Sequence, residues 1–137
     1  MTIQLSTTVV NAMLDAWETA IGTSAVIKLR SGAPPANCAA ADSGTVIATI
    51  TLASDWAANA SGGTKAFSSL PLTDASADNA GTLGHYRLYA SGGATCHEQG
   101  TITATGGGGD MTVDNTNVTA GQPVNISAWT KNMAAHA

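Results

Sequence analysis

The chain has 137 residues, enough for one domain with a real core and hardly enough for two. Charged residues are only 10 % and aromatics only 4 %, while Ala, Gly, Ser and Thr supply just over half of the chain. The net charge of −4 and five scattered Lys and Arg (Lys28, Arg30, Lys65, Arg87, Lys131) argue against direct nucleic-acid binding, and no apolar run approaches the ~20 residues of a membrane span.

Val10, Met13, Leu14, Trp17 and Ile21 recur with a helical period, which predicts an amphipathic helix capped by Ser6, Thr7 or Thr8 and ended by Gly22. Asn11, Asp15, Glu18 and Thr19 fall on its other side. From Ala25 to Arg30 the period becomes two, with Lys28 and Arg30 together, as in a half-exposed strand stopped by Pro34 and Pro35. Residues 36–44 read as a small-residue loop, and Thr45–Leu52, rich in β-branched side chains, is the clearest strand. Residues 53–64 read as a loop anchored by Trp56, Lys65–Leu72 as a short strand stopped near Pro71, and 73–82 as a polar connection. Gly84–Ala90 and Thr95–Thr105 form a hairpin about Ser91-Gly92-Gly93, with a bulge expected at Gly100. Strands follow at Met111–Val113 and Val124–Thr130, and Lys131–Ala137 has no pattern.

One helix and seven or eight short strands, without βαβ alternation or an internal repeat, predict a mainly β fold. The expectation is an antiparallel β-sandwich or jelly-roll-like barrel with one N-terminal α-helix. It forms a single domain over 1–137: arm and helix 1–22, sandwich 23–130, tail 131–137.

Chemistry-bearing patterns are sparse. Cys38 and Cys96 could pair through a long closed loop, or stay reduced in a cytoplasmically assembled protein. Cys96, His97 and Glu98 are consecutive but lack a second ligand pair, and Asp110, Asp114 and Asn115 lack calcium-loop spacing, so no metal is expected. Gly106–Gly109 is followed by neither Lys-Ser/Thr nor a helix start, so it reads as a flexible connection or tight strand crossover and not a phosphate loop. No nucleophile elbow occurs and nothing singles out an acidic pair, so neither catalytic residues nor a cofactor are expected. Trp17 reads as core, while Trp56, Tyr86 and Tyr89 would serve a sugar-stacking surface only if exposed. No Lys or Arg precedes an apolar stretch at the N-terminus, so a secretory leader is not expected.

Seven stretches carry a family likeness: LSTTVVNAMLDAWETAIG (5–22), LRSGAPPANCAAADSG (29–44), Asp55-Trp56, GHYR (84–87), CHEQG (96–100), GGGGDMT (106–112) and VTAGQPVNISAW (118–129). Together they resemble a family of small proteins encoded in the structural modules of tailed bacteriophages and prophages, over nearly the whole chain. The resemblance implies a non-enzymatic virion structural protein assembled in the host bacterial cytoplasm. Its most direct form is a capsid decoration (cement) protein, a trimer or dimer seated on the major capsid protein. A tail- or fibre-associated subunit and a host-surface glycan-binding module are the alternatives. The contact surfaces expected on that basis are Met1, Thr2, Ile3, Gln4 and Leu5, then Pro34 and Pro35 in loop 31–44, and Trp56 in loop 53–64.

Overall fold

A computed structural model describes residues 3–132. The helix, α1 (Thr7–Ile21), begins where the sequence signals place it. Ser6 is extended and its side chain accepts the Val9 N–H at 3.3 Å, while Gly22, at φ 90°, closes the end with its N–H on the Glu18 carbonyl at 2.9 Å. Val10, Leu14 and Ile21 are buried, and Trp17 is half-buried against the core. Met13, predicted to join that stripe, is 43 % exposed.

The strands are β1 (Val26–Ser31), β2 (Val46–Thr51), β3 (Thr64–Lys65), β4 (Leu72–Asp74), β5 (Gly81–Tyr89), β6 (Cys96–Ala104), β7 (Met111–Val113), β8 (Asn117–Val118), β9 (Val124–Ala128) and β10 (Lys131–Asn132). The main sheet runs β2-β1-β5-β6-β7-β9-β4, with β8 added to β5, and curls into a nearly closed barrel. Its two ends meet through a side chain: Asp74 on β4 accepts the Thr49 N–H of β2 at 2.9 Å. The fold is therefore the predicted mainly β barrel with one N-terminal helix.

One pair departs from the antiparallel rule. β6 and β7 run parallel, Ile102 beside Met111, joined only by residues 105–110. Parallel neighbours usually need a crossover of about a dozen residues or more. Here the glycine run folds straight back over the end of β6. The Gly109 N–H reaches Thr103 Oγ1 at 2.9 Å, and a Cβ on Gly107 would lie 2.7 Å from Thr103 Cβ. The four glycines are a tight strand crossover.

Several strand expectations change, and the polar connection predicted at 73–82 holds the end of β4 and the start of β5. Lys65–Leu72 is not one continuous strand: Thr64 and Lys65 form β3, Phe67 makes an isolated bridge to Ala57, and Pro71 precedes β4, which starts at Leu72, instead of ending a strand. The last predicted strand stops at Ala128, and Lys131 and Asn132, expected to be patternless, form β10 against β3. The bulge expected at Gly100 lies at His97, where Leu88 pairs with Glu98 but Tyr89 pairs with Cys96. Gly100 stays in register opposite Tyr86, and a Cβ there would sit 2.8 Å from the Tyr86 ring.

The inner face of the barrel carries Ile27, Leu29, Ala48, Leu88, Ile102 and Ile126, all buried. Against it lies an aromatic cluster. Phe67 stacks on Trp129 with ring centres 3.8 Å apart, Trp56 stacks on Phe67 at 5.7 Å, and Trp17 meets Trp56 edge-on at 5.2 Å. Tyr86 closes the cluster edge-on to Trp129 at 5.5 Å. Such pairs add about 0.5–1.5 kcal/mol each beyond their burial.

Candidate functional site

The outer face of β1, β5 and β6 is polar, and the register builds it in rows. Lys28, Arg87 and Gln99 form one row, and Arg30, His85 and Thr101 the next. The sequence predicts that Lys28 and Arg30 face solvent. Instead loop 32–44 covers this face, so that Arg30 is 6 % and Arg87 1 % exposed. The loop turns its carbonyls inward as acceptors. Arg87 donates to the carbonyls of Asn37, Cys38 and Ala40, and Arg30 to those of Ser43 and Gly44. Gln99 holds the Pro35 carbonyl at 2.6 Å, and His85 Nδ1 donates to the Gly32 carbonyl at 2.8 Å.

One carboxylate serves both guanidiniums. Asp42 pairs with Arg30 at 2.6 Å, pairs with Arg87, and accepts the Tyr89 hydroxyl at 2.7 Å. Burial pushes the Asp42 pKa upward, but the Tyr89 hydrogen bond and the two cations outweigh it and hold the carboxyl below its ordinary value. Burial raises Tyr89 to about 12, assisted by Asp42. Burial lowers His85, with Arg30 and Arg87 adding to the effect against the Gly32 hydrogen bond, so its imidazole is held neutral. The layer thus carries two buried positive charges against one carboxylate. The buried side-chain atoms without a partner among the described residues, Arg30 Nε, His85 Nε2, Arg87 Nε and Gln99 Oε1, all belong to it.

The two cysteines meet at the edge of this layer. Their sulfurs lie 2.6 Å apart, both thiols are free and both residues are half-buried. Burial and the neighbouring Cys96 push the Cys38 thiol up to about 11, against a smaller downward pull from Arg87. The acids after the glycine run stabilise local turns: Asp110 accepts the Thr101 N–H and hydroxyl, and Asp114 holds Asn125. Among the described residues no three His, Cys, Asp or Glu side chains gather as metal ligands.

The second candidate surface is the outside of α1. Asn11, Asp15 and Glu18, predicted to lie away from the core, face the protein body and accept backbone amides of the irregular segment 57–63: Gly63 N–H on Asn11, Ala60 N–H on Asp15, Ala57 N–H on Glu18. That segment has little ladder of its own, and its amides need acceptors. Lys65, buried, pairs with Asp15 at 2.6 Å and Glu18 at 2.8 Å. Burial opposes its charge, yet the two carboxylates keep its pKa above the ordinary lysine value. Glu18 is mostly covered and Asp15, 43 % exposed at its side chain, is tied to Lys65; the exposed positions Val9, Ala12, Met13, Ala16, Thr19 and Ala20 form an uncharged strip with Val9 45 % exposed.

Of the expected contact residues, Met1 and Thr2 lie outside the described residues. Ile3 is 81 % exposed, Gln4 is exposed and Leu5 is half-buried. Pro34 and Pro35 are half-buried in loop 32–44. Trp56 is not a contact residue: its ring is buried in the aromatic cluster and its Nε1 donates to the Gly22 carbonyl at 3.0 Å. Tyr86 and Tyr89, the other rings a sugar-stacking surface would need, are buried too. The outer strip of α1 was missed as a surface, although the lack of any charge at Val9, Ala12, Met13, Ala16 and Ala20 stands in the sequence. No family model matches the chain, and neither a curated protein nor a solved structure matches it.

Proposed function

We propose that this chain is a non-enzymatic structural subunit of a tailed-phage virion, most directly a capsid decoration protein that packs on the major capsid protein and on copies of itself. The family resemblance suggests the class. The observation that carries the packing role is the helix α1, whose acids bind Lys65 and the amides of segment 57–63 while its exposed strip at Val9, Ala12, Met13, Ala16 and Ala20 is apolar. A helix surface of that kind is the reverse of a free monomer's, where charge belongs outside. Fifteen residues make a strip about 22 Å long, which supplies less than the roughly 800 Å² that a standard interface takes from each partner. The exposed arm at Ile3 and Gln4 therefore joins it.

The test is native mass, followed by incubation with undecorated capsids of the same phage. A discrete dimer or trimer that saturates the shells is the expected result. Ala16→Glu should keep the circular dichroism and Tm of the parent yet lose shell binding at least tenfold. A monomer that ignores the shells sinks the decoration reading. Polymerisation into tubes moves the protein to the tail, the second reading within the same class.

A further inference from the structure

We propose that Cys38 and Cys96 are a disulfide-forming pair, closed by exchange with a small-molecule disulfide such as oxidised glutathione, and that the bond fastens loop 32–44 to the start of β6. The sulfurs already touch, although 58 residues separate them in sequence.

Two features of the fold bring them together. The first is the bulge at His97. Strand residues alternate between faces, so an unbroken register would set His97 opposite Tyr89 and turn Cys96 away from the polar layer. The inserted residue reverses this, placing Cys96 opposite Tyr89 and leaving His97 exposed. The second is Arg87, which donates to the Cys38 carbonyl at 2.8 Å while paired with Asp42. The loop carrying Cys38 is therefore held on β5 by non-covalent bonds before any bond between the sulfurs forms. Both cysteines are half-buried, so a small reagent reaches them.

The exchange balances. One protein thiolate attacks a sulfur of oxidised glutathione, forming a mixed disulfide and releasing one glutathione thiolate. The second protein sulfur then attacks the protein sulfur of that mixed disulfide and expels the second glutathione. The S–S bond has moved to the protein, and the two thiol protons end on two reduced glutathiones. The pairing does not depend on the virion reading, since it rests on contacts within one chain.

The experiment compares protein purified under reductant with the same protein incubated, folded, with oxidised glutathione. Closure lowers the intact mass by about 2 Da. Trypsin cuts after Lys28, Arg30, Lys65, Arg87 and Lys131, so an unreduced digest should hold peptides 31–65 and 88–131 together. A ring of this size should raise Tm by about 10 °C over the reduced form, and Cys38→Ser and Cys96→Ser should each abolish the difference. Two thiols still free after incubation, stable glutathione adducts on both, or disulfide-linked dimers would overturn the pairing. A closed bond that leaves Tm unchanged would overturn its fastening role.

Discussion

His85 and Asp42 give the polar layer a pH dependence whose sign can be worked out. His85 is neutral and buried in the folded chain, with its pKa below the ordinary 6.5 because of burial and the two guanidiniums. As pH falls through 6.5 the unfolded chain takes up this proton and the folded chain does not, so stability falls by up to about 1.4 kcal/mol per pH unit until the folded pKa is reached. Asp42 acts in a lower window: its depressed pKa contributes stability above the ordinary carboxyl value of 3.8, and that contribution is lost as pH falls through the folded pKa. Tm should therefore decline between pH 7.5 and 5.5. His85→Gln, whose amide can still donate to the Gly32 carbonyl, should flatten that decline in a thermal-melt series. An unchanged slope would place the proton uptake elsewhere. The burial of Arg30 was not legible in the sequence. Period-two alternation tells which residues share a face, and it does not tell whether a loop with a single carboxylate twelve positions on will fold over that face.

At the scale of the element, helix α1 is held by charge as much as by apolar packing. Lys65 sits between Asp15 and Glu18 with almost no access to water, and removing this buried cation leaves the mostly covered Glu18 uncompensated, whereas Asp15 keeps solvent. Lys65→Met should destabilise the fold by roughly 3 kcal/mol in urea unfolding, more than Glu18→Gln, which keeps the Asp15 pair. Equal stability would mean that the ion pairs contribute little against their desolvation. The ends of this helix were readable because a cap is local: Ser6 and Gly22 act on backbone within four residues. β3 and β10 were unreadable for the opposite reason, as each is two residues long and exists only because the other lies beside it. Gly100 shows a third case: a glycine in a strand signals close approach as readily as a bulge, and here it makes room for the Tyr86 ring.

Across the whole molecule, the barrel was legible as a class and its closure was not. Strand count and turn spacing gave the architecture, whereas the meeting of β2 and β4 through Asp74 depends on residues far apart in the chain. The convergence of Trp17, Trp56 and Trp129 is similar, because Trp17 reads as core of the helix, Trp56 as the anchor of a loop and Trp129 as one residue of the last strand, and none of these readings points to the others. Their burial ranks their energetic importance. Trp129, fully buried and stacked on Phe67, should cost about 3–5 kcal/mol on replacement by Ala, while half-buried Trp17→Ala should cost about 2 kcal/mol. Chemical denaturation of the two variants checks the order, and a reversed order would mean that Trp17 holds the helix in place more firmly than its exposure suggests.

That convergence has an optical consequence. All three indoles lie in one cluster where the helix meets the barrel, while the side chains that hold loop 32–44 are Arg30, Arg87, His85 and Gln99 on the polar face. Intrinsic tryptophan emission is therefore a single-site probe: it will register the helix lifting away, and it will stay silent while the loop over Arg30 and Arg87 opens. A fluorescence melt of this protein follows half of its architecture, and the other half has to be watched through its thiols or its histidine.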